Sequence, residues 1–246
     1  MAGPVYVAVA DLSMTEETPA ISTGIGADPS GLKGVVTDWS HDRQAFQVPW
    51  GKAMMWIFLL SDTFIFSCFL LSYMNVRMTT TVAWPNTSEV FALSFGGQPI
   101  PLILIAIMTF VLITSSGTMA LAVNYGYRKD KKKTVLLMLA TAALGATFVG
   151  MQAFEWTKLI VDEGVRPWGN PMGAAQFGSS FFMITGFHGL HVTAGVIYLI
   201  VTATRVGTGY YDRHRGGNYE MVEITGLYWH FVDLVWVFIF AFFYLW

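Results

Sequence analysis

One cysteine, Cys68, stands in a chain of 246 residues. A lone cysteine excludes an internal disulfide and a Cys-x-x-Cys site. Charge is nearly as scarce: Asp, Glu, Lys and Arg make up 12% of residues, against about 25% in an average globular protein. Neither sign dominates, since 14 Lys and Arg meet 16 Asp and Glu for a formal net charge of −2. No basic stripe offers a footprint to nucleic acid, which is therefore not an expected partner. No Glu-x-x-His pair occurs, so the ligand pattern of di-iron helix bundles is missing. No internal repeat is visible. The early apolar patch Val5–Ala10 is short and has no basic residue before it, so it does not read as a signal peptide.

Apolar residues fill the space that charge leaves, at 54% of the chain. Five runs are long enough to span a bilayer, which takes about 20 residues each. The expected spans are 53–74, 100–124, 134–154, 178–204 and 224–246. Trp50, Tyr73, Tyr125, Tyr127, Trp156, Trp168 and Trp246 stand at their boundaries, where amphipathic rings anchor at the interface. Lys and Arg set the orientation. With the N-terminus inside, the inner segments hold Lys33, Arg43, Lys52, Arg128, Lys129, Lys131, Lys132, Lys133, Arg205, Arg213 and Arg215, and the outer loops only Arg77, Lys158 and Arg166. The expectation is N-terminus inside and C-terminus outside. Residues 1–49 are rich in Gly, Ser, Thr and acidic side chains without a sustained period and read as a cytoplasmic tail.

Few polar residues enter the spans. They are Asp62 in the first, His188 and His191 in the fourth, and His230 and Asp233 in the fifth, with Glu223 at its inner end. Gln152 and Glu155 close the third. A charged side chain at a helix centre in lipid costs roughly 2.5–3.5 kcal/mol, so such residues face other helices. His188 and His191 share a helix face, and Glu223, His230 and Asp233 form one stripe at helical spacing. Ala142, Ala146 and Gly150 make a small-xxx-small face, and the hydroxyls of Thr114–Thr118 can bond neighbouring helices or their own backbone. On these features alone three readings compete with plain packing and interhelical bonding. One is a haem or metal site, with His191 and His230 as axial ligands. One is a transporter with a proton relay. The third is a support subunit that orders helices and lipid beside a neighbour.

Several stretches, taken in order, resemble one family. WGKAMMWIFLLSDTFIFSCF (50–69), SSGTMALA (115–122), LGATFVGMQAFEW (144–156), GFHGLHVTAGVIYLIVTATR (186–205) and the closing Glu223 with YWHFVD (228–233) resemble subunit III of the haem-copper respiratory oxidases, the cytochrome c oxidase family. The resemblance covers about 50–246. It implies an all-α bundle of five transmembrane helices and a chain without a redox centre of its own. Haem and copper then belong to partner subunits I and II, and bound phospholipid is the expected ligand here. It implies that Asp62 stands where the family has its intramembrane carboxylate, that His191 lies beside it, and that Arg205 holds a lipid phosphate. Trp56 could line a lipid cleft by packing. His188, His230, Asp233 and Glu223 become inward-facing polar groups, and no metal ligand is assigned.

The chain departs from the family in three ways. It has five spans where the mitochondrial form has seven, and Asp62 is one methylene shorter than the family's usual Glu. Ser61-Asp62 resembles quinol-oxidase subunits, whereas YWHFVD resembles the cytochrome c branch. The expected function is that of a non-catalytic subunit of a proton-pumping oxidase in a bacterial plasma membrane. The enzyme reduces O2 to water with electrons from cytochrome c, which, or quinol in its place, reaches this chain only through the complex. Subunit I is the expected main contact and subunit II the second. The alternatives are a quinol oxidase subunit III, a free-standing membrane haem or metal protein, and a transporter.

Overall fold

A computed structural model describes residues 49–95, 98–214 and 218–246. The expected tail 1–49 lies, apart from Pro49, outside the described residues. Five helices are long and apolar enough to cross a membrane. They are α1 (Trp50–Thr79), α3 (Ile103–Tyr127), α4 (Lys131–Val161), α5 (Ala175–Gly207) and α7 (Glu220–Phe240), which runs on into a π-turn, Ala241–Leu245. Between them lie two short helices, α2 (Thr87–Val90) and α6 (Tyr210–His214). The segment between α1 and α3 also holds a small hairpin, which takes the first residues of the span expected at 100–124. Strands β1 (Ala92–Phe95) and β2 (Gln98–Pro101) pair antiparallel, Ala92 opposite Pro101.

α1, α4 and α5 outrun the expected spans at both ends, and α3 and α7 at one end only, because a helix continues through the headgroup layer after its hydrocarbon-matched core ends. α3 and α4 are joined by only Arg128, Lys129 and Asp130, with Lys129 left-handed at φ 57°. Asp130 caps α4 by accepting from the Lys133 amide at 3.3 Å, which satisfies one of the orphan donors of a helix start. This basic turn marks one end of the bundle, called here the basic end.

Burial follows a common rhythm. On α3 the buried residues are Ile105, Met108, Leu112, Ser115, Met119, Ala122 and Gly126, alternating steps of three and four. On α7 and its π-turn the corresponding row is Val222, Thr225, Trp229, Val232, Trp236, Ile239 and Phe243. A repeat of 3.5 residues keeps one seam facing the partner helix, the packing of left-handed bundles. The same rhythm corrects the small-residue face expected on α4. Its buried row runs Met138, Thr141, Gly145, Phe148, Gln152, Glu155 and Leu159, joined by Ala142, whereas Ala146 and Gly150 are exposed. Strict four-residue steps drift off a 3.5-residue seam, so the close approach falls on Gly145 instead.

α3, α4, α5 and α7 close a four-helix core in which α4 packs on α3 and α5, and α7 packs on the same two helices. α1 lies outside this core, on the edge formed by α5 and α7. Aromatic donors bond to hydroxyls across the core: Trp229 Nε1 to Ser115 Oγ and Trp236 Nε1 to Thr109 Oγ1, each at 3.0 Å. Thr118 and Thr141 pair at 2.8 Å between α3 and α4. The Thr114–Thr118 hydroxyls thus serve both roles expected of them, since Thr114 bonds its own helix at Phe110.

Candidate functional site

Asp62 on α1 and His191 on α5 meet at the α1–α5 seam. Asp62 is 3% exposed, and its Oδ2 lies 3.3 Å from His191 Nε2, with no other polar group engaging that oxygen among the described residues. His191 Nδ1 is 2.8 Å from the Phe187 carbonyl. A carbonyl can only accept, so Nδ1 carries a hydrogen. Nε2 then carries one only when the ring is cationic. One proton held between them, on the ring as an ion pair or on the carboxyl as a neutral pair, would leave the pair uncharged overall. Phe66 and Phe187 close over the imidazole, with ring centroids at 5.5 and 4.7 Å. Tyr228 on α7 donates to the His191 carbonyl at 3.0 Å, so three helices fix this position.

His188, one turn earlier, does not reach the carboxylate. It is fully buried, stacked on Trp236 at 5.4 Å, with Phe148 edge-on at 5.9 Å. Both its ring nitrogens lack a partner among the described residues. It sits on the core row of α5, which includes Thr185, His188 and Val192, whereas His191 flanks that row.

The expected stripe on α7 divides between neighbours. Glu223 pairs with Lys52 of α1 at 2.7 Å. His230 Nδ1 meets Ser116 Oγ of α3 at 2.6 Å. Asp233 Oδ1 has no partner, and no direct His230–Asp233 bond forms. All three are half-buried, beside the core row and not on it. His191 and His230 face different seams, toward α1 and α3, so they do not flank one haem-sized space. No group of three or more His, Cys, Asp or Glu converges as metal ligands among the described residues.

A buried acid that the sequence reading left without a role stands toward the other end. Glu155 is 4% exposed, and the Tyr244 hydroxyl reaches its two oxygens at 3.2 and 3.3 Å. Gln152 Nε2, one turn before, donates to the Thr185 carbonyl of α5 at 2.7 Å. The signal for Glu155 was its place on the α4 seam, three residues after Gln152. Nothing in the terminal FFYLW pointed to Tyr244 as the donor.

Arg205 is exposed in the last turn of α5, its guanidinium 5.6 Å from the Tyr210 ring centroid. Trp56 is 57% exposed and shares its flank of α1 with Lys52, four residues earlier, turned away from α5. The structure does not bring Arg205 and Trp56 together. At the basic end, Tyr219 donates to Asp212 at 2.9 Å. Burial, then that carboxylate, pushes its phenol above the ordinary value.

Comparison with known proteins agrees with this picture. The family model described as Cytochrome c oxidase subunit III matches residues 40–246. A protein of Staphylococcus saprophyticus named probable quinol oxidase subunit 3 is 33% identical over 201 residues, covering 81% of this chain and 90% of the relative. Proteins of the same name from Staphylococcus aureus (32% over 200 residues) and Staphylococcus haemolyticus (33% over 201) cover the same shares.

Proposed function

The chain belongs to the cytochrome c oxidase subunit III family, a family of multi-pass haem-copper oxidase subunits, and from that premise we propose its work within a complex. It is the non-redox subunit III of a proton-pumping terminal oxidase in a bacterial plasma membrane, with its N-terminus inside. Haem and copper reside in subunits I and II, and electrons come from cytochrome c. This chain stabilises subunit I, holds phospholipid and sustains proton uptake.

The observation that carries this reading is the buried Asp62–His191 pair, an intramembrane carboxylate with a histidine beside it, as the family resemblance implies. A pair that shares one proton is neutral overall, which makes it far less costly to hold in a membrane than a lone carboxylate. It fastens α1 to α5 and lets the proton shift between Oδ2 and Nε2 without changing the net charge of the interior. Arg205 fits a phosphate, being an exposed guanidinium at a helix end where headgroups lie. Trp56 fits an apolar chain by packing only.

A second reading, quinol as donor, is favoured by the names of the relatives and by the Ser61-Asp62 pair. Affinity purification from the native membrane in mild detergent tests both. Co-purification of a haem-copper subunit I with a copper-bearing subunit II, and oxidation of reduced cytochrome c, is the expected outcome. Oxidation of quinol alone selects the second reading. A chain that emerges alone and colourless overturns the subunit assignment.

A further inference from the structure

α1 and α3 both flank α7, yet no substantial contact joins them among the described residues. A groove is left between them, floored by one stripe of α7: Glu223, Leu227, His230 and Leu234, in steps of four, three and four. The first three are half-buried and Leu234 is 56% exposed. At the basic end the groove opens into a cavity of about 380 Å³ between Lys52 of α1, Tyr127 of α3 and Glu223. On its α3 wall, Ser116 and Ala120 are small residues one turn apart, which lets another helix approach closely.

The floor carries an imidazole at membrane depth. His230 is the eleventh residue of the 26-residue span Glu220–Leu245. Its Nδ1 is engaged by Ser116, and no described residue engages Nε2. Lipid tails cannot complete that hydrogen bond, and an intramembrane polar group without a partner is unfavourable. The apolar patch of the tail 1–49, Val5–Ala10, is far shorter than the roughly 20 residues of a spanning helix. A transmembrane helix satisfies both the shape and the chemistry.

We propose that the α1–α3 groove seats a transmembrane helix of a partner subunit, and that this helix presents a hydrogen-bonding side chain to His230 at mid-membrane. The inference rests on the subunit assignment and adds which face is docked and what the partner must carry there.

The test uses the assembled complex in native membranes, with Cys68→Ser as background. Ala120→Cys and Leu234→Cys place a short thiol-directed photocrosslinker in the groove. Phe154→Cys, on the exposed face of α4 across the core, is the control. Peptide mapping is expected to find both groove positions joined to one transmembrane helix of a partner subunit, with the control unjoined to it. Capture of lipid, of residues 1–48 or of a second copy of this chain by the groove positions overturns the proposal. So does partner capture from the control alone. Either result leaves the subunit assignment standing as long as partner subunits co-purify, whereas their absence defeats that assignment first. His230→Leu supplies a second measurement. It is expected to lower partner retention during detergent washing, while His230→Gln restores it, and equal retention by all three chains overturns the proposed bond.

Discussion

The indole of Trp229 occupies the space that a β-carbon on Gly145 would need. Such an atom would stand 2.3 Å from Trp229 Cη2 and 2.8 Å from Val196 Cγ2, so α4, α5 and α7 meet where no side chain fits. Trp229 is itself held by Ser115 on α3. Gly145→Ala is expected to destabilise the chain by about 1–3 kcal/mol, the usual cost of overpacking. Gly150→Ala, with nothing within 4 Å of its added carbon, should be near neutral. Thermal unfolding of the purified complex in detergent checks the contrast, and equal losses would contradict the seam assigned to α4.

Asp62 and His191 should behave as a unit. Removing one leaves the other buried without its counterpart, so Asp62→Ala and His191→Ala are each expected to cost about 1–3 kcal/mol. The double replacement, Asp62→Ala with His191→Ala, should cost less than the sum of the two. Residues in contact commonly show coupling of about 0.5–3 kcal/mol. Haem spectra of the assembled complex should not change, because neither residue is assigned to a metal. A double-mutant cycle on assembly yield and unfolding temperature measures the coupling. Strict additivity would argue against the pairing.

Tyr244→Phe removes the hydroxyl that reaches both oxygens of Glu155, and a buried acceptor that loses its donor costs about 1–3 kcal/mol. Glu155→Gln keeps an oxygen for that hydroxyl, so its effect should be smaller. Unfolding temperatures of the two variants give the order directly.

Arg205→Ala is expected to leave the fold intact, since the side chain is exposed and bonds no other long helix. The oxidase should retain less phospholipid per complex and lose activity sooner during continuous turnover. Lipid phosphorus analysis and the time course of oxygen consumption check it. Unchanged lipid and lifetime would remove Arg205 from the lipid role.

Much of this arrangement was legible in the residues. Apolar length marked all five crossing helices, and the scarcity of charge made Asp62 and His191 conspicuous, but it was the family resemblance that set them side by side. Rotational position was harder to read. Ala142, Ala146 and Gly150 are small at four-residue steps, yet burial follows a 3.5-residue seam, and only the neighbours of α4 decide which small residue is pressed. The α7 stripe divides for a related reason. Glu223, His230 and Asp233 do share a side of the helix, but that side straddles two seams, so Glu223 pairs with α1 and His230 with α3. The donors Trp229, Trp236 and Tyr244 read as apolar bulk until their distant hydroxyl and carboxylate acceptors are known.

The π-turn at Ala241–Leu245 sets the phase of everything after it. A π-turn holds one residue more than the α-helical turn it replaces. That slip rotates the last residues so that Phe243 and Tyr244 are both buried side by side. Phe243 then stacks on Tyr73 of α1 at 4.0 Å while Tyr244 turns to Glu155 on α4. Chain length within this turn is therefore a coded quantity. The same residues wound as a regular α-helix would keep nearly the same reach, yet swing the hydroxyl by about 100° from its acid, the angle of one α-helical residue. The last turn works as a vernier, converting a count of residues into the aim of one phenol.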